Sequence, residues 1–223
     1  MITFSNNGCS RILKAVLFDM DGVVTDSMPW HYQCWTEVFR RRNVNLTKEE
    51  LYKREGEKGL YSVLNIFEEK GKDISREEAM KMLSEKEEMF RSMAKVKLFD
   101  GVEDFIQRIS ASDTLTALVT GTSMKELHRL LPESVQKSFN AIVTGDMLEK
   151  GKPEPDPYLK GIELLGVEAI STAAVENAPL GILSAKRAGI YTIAVQTSLG
   201  AAYLENADVI VPDHPALYMM FKN

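Results

Sequence analysis

Cysteine is scarce in this chain. Only Cys9 and Cys34 occur among 223 residues, so no disulfide framework is suggested and a hydrophobic core has to carry the fold. Long apolar runs are missing as well. No stretch approaches the roughly 18 consecutive apolar residues of a membrane span, and the N-terminus lacks the apolar core of a secretory signal. The expectation is a cytoplasmic protein with no membrane partner. Excess basic charge is the third absence: 27 Lys and Arg stand against 32 Asp and Glu, a formal net charge of -5. That balance argues against a nucleic-acid partner, which calls for a basic face. The Arg40-Arg41-Arg42 run is expected to be the solvated end of a helix. What remains is ordinary globular material, 44% hydrophobic, enough for one substantial core and a small appendage.

Within that material one passage stands out. Ile12-Leu13 and Ala15-Val16 lead into Leu17-Phe18-Asp19-Met20-Asp21-Gly22-Val23, an apolar run that ends abruptly in two carboxylates and a glycine. The run reads as a buried strand, and open α/β sheets place their ligands at the carboxyl ends of such strands. A strand tip curls as it leaves the sheet, so Asp19 and Asp21 can converge on one point. Two carboxylates held that close repel unless a cation lies between them, and oxygen-only ligands suit Mg²⁺. With a metal screening a phosphate, the first acid can attack phosphorus and the second can protonate the leaving oxygen. Gly22 lets the turn's N–H groups approach an anion. Taken alone, the pattern fits a solvated, metal-free turn equally well.

Other segments supply the missing context. Thr114 to Thr120 is a β-rich run that ends in a hydroxyl and leads through Gly121-Thr122-Ser123 into a helix, a natural anion site. Gly151-Lys152-Pro153-Glu154-Pro155-Asp156-Pro157 carries one lysine on a stretch stiffened by three prolines, which keeps Lys152 extended and aimed. Asp156 is expected to cap the helix that Pro157 opens. Ala173-Ala174-Val175 ends in Glu176-Asn177, again oxygen ligands at a strand tip, before a helix from Pro179 through Arg187 that stops at Gly189.

Taken in order, these segments resemble the haloacid dehalogenase superfamily of phosphotransferases, and most closely its β-phosphoglucomutase-like branch. The resemblance rests on D-x-D-G-V at Asp19 to Val23, the threonine at Thr120, the G-K-P-x-P-D lysine at Lys152, and E-x-x-P-x-G-I-x-x-A-x-x-A-G-I from Glu176 to Ile190. It implies that Asp19 is the nucleophile and a Mg²⁺ ligand. Asp21 would be the general acid and then the base, with its backbone carbonyl on the metal. Thr120 and Lys152 would bind the transferring phosphoryl group, and Glu176 and Asn177 would complete the metal site. The family commonly has an aspartate where this chain has Asn177. Weaker metal binding is expected from the lost charge, and Asn177→Asp is expected to tighten the Mg²⁺ dependence.

Organisation along the chain fits the resemblance. Residues 1–10 read as a loose tail. From about Trp30 to Val96 no strand pattern occurs, while Thr47-x-x-Glu50 and Ser75-x-x-Glu78 form capping boxes, and Leu60, Val63, Leu64 and Phe67 recur at helical spacing. Met80, Leu83, Glu87 and Phe90 form a mixed stripe. A helical-bundle cap over 30–97, inserted into an α/β core of 1–29 and 98–223, is the implied organisation. Further strands at Phe139 to Thr144, Tyr191 to Val195 and Asp208 to Val211, separated by helical segments, complete a doubly wound parallel sheet.

Substrate identity is less legible. His31 follows the acid pair at a spacing shared with β-phosphoglucomutase, where a histidine contacts the general acid; a hinge or helix-surface histidine has the same signature. Lys86 stands on the last cap helix where it could reach a phosphate, although a solvated lysine is the commoner occupant of a Glu-rich helix. Gly121 and Thr122 complete the candidate substrate contacts. A mutase also needs a second phosphate site, and the resembled mutases carry G-x-x-R where this chain has Gly56-Glu57-Lys58-Gly59, with Arg54 nearby. The expectation is therefore a Mg²⁺-dependent phosphatase for a small phosphorylated metabolite such as a sugar phosphate, monomeric or weakly self-associating. The alternative is a β-phosphoglucomutase converting β-glucose 1-phosphate to glucose 6-phosphate. A phosphometabolite-binding protein has no need of Asp19, Asp21 and Lys152 together, and a dehalogenase needs neither Asp21 nor Mg²⁺.

Overall fold

The computed structural model describes residues 2–6 and 9–222. In chain order the elements are β1 (Ile2–Asn6), β2 (Cys9–Leu13), β3 (Ala15–Phe18), α1 (Met28–Arg40), α2 (Lys48–Tyr52), α3 (Gly59–Glu69) and α4 (Arg76–Met93). They continue with α5 (Val102–Ser110), β4 (Leu115–Val119), α6 (Met124–Leu130), α7 (Glu133–Lys137), β5 (Ala141–Val143), α8 (Asp156–Leu165) and β6 (Thr172–Glu176). The chain closes with α9 (Pro179–Arg187), β7 (Tyr191–Val195), β8 (Val209–Val211), α10 (His214–Met219) and β9 (Phe221–Lys222).

Six strands form one sheet in the order β5-β4-β3-β6-β7-β8, every neighbouring pair parallel. β3 lies inside it between β4 and β6, buried on both faces, which is why it reads as an unbroken apolar run. Its alternate residues feed two separate clusters. Val16 and Phe18 join Phe105, Ile106 and Leu118 on one face, while Ala15 and Leu17 join Val119, Val143 and Tyr158 on the other. The expected doubly wound α/β architecture is the one observed, with the tips of β3, β4 and β6 at one edge.

Two expectations need correction. The loose tail assigned to residues 1–10 is strand over its described residues, 2–6 and 9–10: β1 pairs antiparallel with β2 and β9, burying Ile2 and Phe4. Phe4 lies edge-on to Phe221 at 5.3 Å and Tyr191 at 5.7 Å. Only alternate residues of this short strand are apolar, so a polar composition hid a period-two pattern whose partner strand lies at the other end of the chain. Asp156 does not cap α8 but is its first residue. Pro155 already has helical angles (φ -73, ψ -13), so the helix begins one position early and has no side-chain cap.

Between β3 and α5 the helices α1–α4 pack around a second cluster that includes Trp35, Phe39, Val63, Phe67, Ala79 and Met82 and takes in Leu199 from the segment between β7 and β8. Thr47 and Glu50 form the reciprocal capping box, and Ser75 caps α4 through the Glu78 N–H at 3.1 Å. The arginine run is solvated only in part. Arg40 and Arg41 pair with Glu37, but Arg42 is half-buried and bridges Glu78 and Glu85, joining α1 to α4. The insertion meets the core through two adjacent linkers, where Thr25 bridges Leu98 and the Phe99 N–H donates to Val24 O at 3.1 Å. Among the described residues no helix is long and apolar enough to cross a membrane.

Candidate active site

The acid pair sits where β3 ends. Asp19 is 5% exposed and continues the sheet register, its N–H donating to Val175 O at 3.0 Å. Asp21 lies one residue beyond Met20, half-buried, and is held from two sides. Ser27 Oγ donates to Asp21 Oδ1 at 2.5 Å, and His31 Nε2 stands 3.4 Å from the same oxygen. Ser27 occupies the N-cap position of α1 yet makes no cap, because its hydroxyl is engaged by Asp21. Burial alone would raise Asp21, but hydrogen bonding and charge from His31, with the Ser27 hydroxyl and Lys86, hold it below the usual carboxylate range.

Lys152 is 4% exposed and ties two strand tips together. Its ammonium donates to Asp19 Oδ1 at 2.5 Å and Glu176 Oε1 at 2.6 Å, and Tyr158 OH donates to that same Glu176 oxygen at 2.5 Å. Burial acts to lower Lys152, but the carboxylates of Asp19 and Glu176 outweigh it and hold the ammonium above its usual range. Burial pushes Asp19 up to about 8, with Lys152 opposing the rise and Glu176 and Asp21 adding to it. Gly181 in α9 makes room for Glu176: a Cβ there would overlap the carboxylate.

Thr120 directly follows β4, 3% exposed, and its Oγ1 accepts the Thr122 N–H at 3.0 Å. Thr120 and Lys152 line one narrow cleft with Gly121, while Gly121 and Thr122 also line the main cavity beside it. Some donors expected to be free at the start of α6 are already engaged. The Glu126 N–H donates to Ser123 Oγ, and the Met124 N–H to the Asp146 carboxylate at 3.2 Å. The reason lies in tertiary structure, since Asp146 arrives from the turn after β5.

The main cavity, about 610 Å³, lies between the sheet edge and the helical insertion, with Asp19 and Asp21 on its floor. Trp35, Leu83 and Phe90 supply apolar wall, and Lys86, Arg91 and Lys125 supply positive charge. Lys86 is half-buried, its ammonium 4.9 Å from the Phe90 ring centre and 5.5 Å from that of Trp35. Burial lowers its pKa. His31 stacks on Phe90 at 4.3 Å, and burial followed by the Lys86 charge holds its pKa down.

Asn177, fully buried, has a lopsided environment. Its amide nitrogen donates to both carboxylate oxygens of Glu55 at 3.0 and 2.9 Å and to Ser198 Oγ at 3.1 Å. Its amide oxygen, Oδ1, is buried without any hydrogen-bond partner. Glu55 escaped sequence reasoning because a charged residue in the turn between α2 and α3 belongs to no periodic pattern. The available signal was its acid-glycine order: Gly56 has φ +85, as Gly22 after Asp21 has φ +82.

Among the described residues no three His, Cys, Asp or Glu side chains converge as a ready-made metal cluster. The residues that the resemblance assigns to a cation, Asp19, the Asp21 backbone carbonyl, Glu176 and Asn177, all offer oxygen donors, and one of these, Asn177 Oδ1, is orphaned. An orphaned buried oxygen costs free energy unless something occupies it, and a hard cation is an apt occupant. The residues present therefore fit Mg²⁺.

Comparison with known proteins identifies the family. The profile of the haloacid dehalogenase-like hydrolases matches residues 16–195. Beta-phosphoglucomutase of Bacillus subtilis (strain 168) is 30% identical over 201 residues, covering 85% of this chain and 87% of its own length. A phosphorylated carbohydrates phosphatase of Thermotoga maritima is 30% identical over 204 residues, 86% of this chain and 91% of its own. A solved structure from Bacteroides vulgatus, 32% identical, superposes with a TM-score of 0.83 and covers 93% of this chain and 87% of that one. Since the matched region spans β3 through β7, and with them the acid pair, Thr120, Lys152 and Glu176-Asn177, the chain is an enzyme and belongs to the haloacid dehalogenase-like hydrolases.

Proposed function

We propose that this enzyme is a Mg²⁺-dependent phosphatase that cleaves a small phosphorylated metabolite, most simply a sugar phosphate, through an aspartyl-phosphate at Asp19. The observation that carries this reading is the pinning of Asp19 Oδ1 by Lys152 at 2.5 Å, with Asp21 beside it held by Ser27 and His31 on the floor of the cavity. A carboxylate fixed through one oxygen keeps the other for attack.

In the first half-reaction the Asp19 carboxylate attacks phosphorus and the bond from phosphorus to the sugar oxygen breaks. Asp21 gives its proton to that departing oxygen. Held low by His31, Ser27 and Lys86, Asp21 is brought toward its protonated form by the negative charge of an incoming phosphate. In the second half-reaction water attacks the phosphorus, Asp21 takes the water's proton, and Asp19 is released. Lys152 neutralises the charge on Asp19 throughout, and Thr120, Gly121 and Thr122 line the place of the phosphoryl oxygens. Asp19, the Asp21 carbonyl, Asn177 Oδ1 and Glu176 would hold the Mg²⁺. When bound, the metal offsets the negative charge of phosphate and carboxylates.

The helices of 30–97 act in this reading as a cap that excludes water and reads the leaving group. The cavity of about 610 Å³ suits a small sugar. Resemblance to a β-phosphoglucomutase supports the alternative, a mutase, which must also grip a second phosphate. Against it stand the two cations near the expected place. Arg54 is paired with Glu57 and Glu69, and Lys58 donates to the carbonyls of Leu148 and Glu149 at 2.9 and 2.5 Å.

The test is phosphate release from a panel of phosphorylated sugars and other small metabolites, with and without Mg²⁺, beside a coupled assay for β-glucose 1-phosphate isomerisation. Metal-dependent release is expected. Isomerisation without net release would make the enzyme a mutase, and silence in both assays would overturn the reading.

A further inference from the structure

Glu55 is the feature of this site with no part in the chemistry above. It comes from the helical insertion, in the turn between α2 and α3, yet is buried against the core. Among the described residues its carboxylate has no cationic partner. Both of its oxygens accept from one nitrogen, Asn177 Nδ2, and one of them comes within 3.1 Å of where a Cβ on Gly22 would stand. Burial and the charges of Asp19, Asp21 and Glu176 push its pKa well above the usual carboxylate range, and Lys152 is bonded to Asp19 and Glu176. A buried acid with no cationic partner is costly unless it serves a local purpose.

The bond pattern at Asn177 points to that purpose. The two ends of an amide are nearly the same in shape, and only hydrogen bonding decides which way the oxygen faces. Here both Glu55 oxygens accept from the amide's NH₂, and Ser198 Oγ accepts from the same nitrogen. Oδ1 is thereby left as the free acceptor, buried and unpartnered. We propose that Glu55 is a positioning residue for the cation site: delivered by the helical insertion, it holds the amide nitrogen of Asn177 and so orients Asn177 Oδ1 toward the metal. Cation binding and seating of the insertion on the core are then coupled, because the residue that orients Asn177 travels with the insertion. This inference rests on the Mg²⁺ reading above.

The test uses Mg²⁺ alone, without substrate. Calorimetric titration gives the affinity of the full chain, and amide hydrogen exchange over residues 53–58 gives the seating of the turn. E55Q keeps the size of the side chain but lets its amide face either way. Its Mg²⁺ affinity is expected to fall by about 10–100-fold, the usual effect of removing a group that orients a ligand. Mg²⁺ should protect the 53–58 amides in the wild type and lose that effect in E55Q. Asn177→Asp alone sets two carboxylates against each other, so the tighter binding expected of it should emerge only in E55Q/N177D. There Mg²⁺ affinity should recover while protection of 53–58 stays insensitive to the metal, since a carboxylate at 177 offers an oxygen whichever way it faces and needs no orienting partner. Wild-type affinity and unchanged metal-dependent protection in E55Q, with the double variant no different, would overturn the proposal. Failure of the wild type itself to bind Mg²⁺ would overturn the metal reading beneath it, a distinct result.

Discussion

The sheet edge and the helical insertion face each other across one cavity but are built by different means. At the edge, the charged side chains are fixed by groups from other elements. Lys152 joins the tips of β3 and β6, and Glu176 is bonded by Tyr158 of α8 as well. In the insertion, some polar groups near the cavity are satisfied by close neighbours: Arg54 by Glu57, and Glu57 by Ser62 and Asn65. Its cavity wall is a mixture of Trp35, Leu83, Phe90 and Lys86. Bond-breaking needs atoms held to a fraction of an ångström, which cross-linking between strands provides. Recognising a leaving group needs shape and a few charges, which a helical unit built on a second cluster can supply and vary without disturbing the chemistry.

That contrast can be broken by experiment. The largest effect is expected at the edge: Asp19→Asn should abolish turnover while circular dichroism and thermal unfolding remain close to the wild type, because an amide cannot form the acyl-phosphate. Near-normal activity would remove Asp19 from the chemistry. Next, Asp21→Asn should cost about 10²–10⁴-fold in kcat, the range of a positioned acid or base, and less for substrates with good leaving groups. An equal loss across leaving groups would argue against its role as acid.

Across the cavity, Lys86→Met should raise KM about tenfold with little change in kcat, the scale of one lost charge-assisted contact. A collapse of kcat instead would mean that the insertion takes part in bond-breaking, and the division would fail. The smallest effect concerns stability in acid. His214 donates from Nε2 to Val23 O at 2.7 Å beside the acid turn, and burial holds its pKa below the usual 6.5. The unfolded chain therefore takes up this proton first. The contribution is intact above about pH 6.5 and is lost progressively as pH falls toward the folded-state value. The midpoint of thermal unfolding should drop between pH 7 and 5, and H214Q should flatten that drop. An unaltered drop in H214Q would assign acid sensitivity elsewhere, His31 of the insertion being the next histidine to replace.

Much of the edge was legible before any coordinates. Asp19, Asp21, Thr120, Lys152, Glu176 and Asn177 stand at the ends of apolar runs or in a proline-stiffened loop, and those local patterns carry position along the chain. His31 could be placed near Asp21 only by resemblance, and Lys86 not at all with any force. Ser27 went unnoticed because a serine before a helix reads as a cap, whereas its hydroxyl serves Asp21. The N-terminal hairpin was missed because its other partner, β9, is only two residues long at the far end of the chain.

What the sequence by itself determined is therefore the local alphabet of the molecule: buried strands from unbroken apolar runs, amphipathic helices from periodicity and caps, and acids, hydroxyl and lysine at the strand tips. Each depends on residues a few positions apart. Pairing over distance was decided only by tertiary structure. Lys152 meets Asp19 across 133 positions and Glu55 meets Asn177 across 122. No local pattern encodes such contacts, because they arise where strands and helices, each assembled on its own terms, are brought together by burial of apolar surface that ignores distance along the chain.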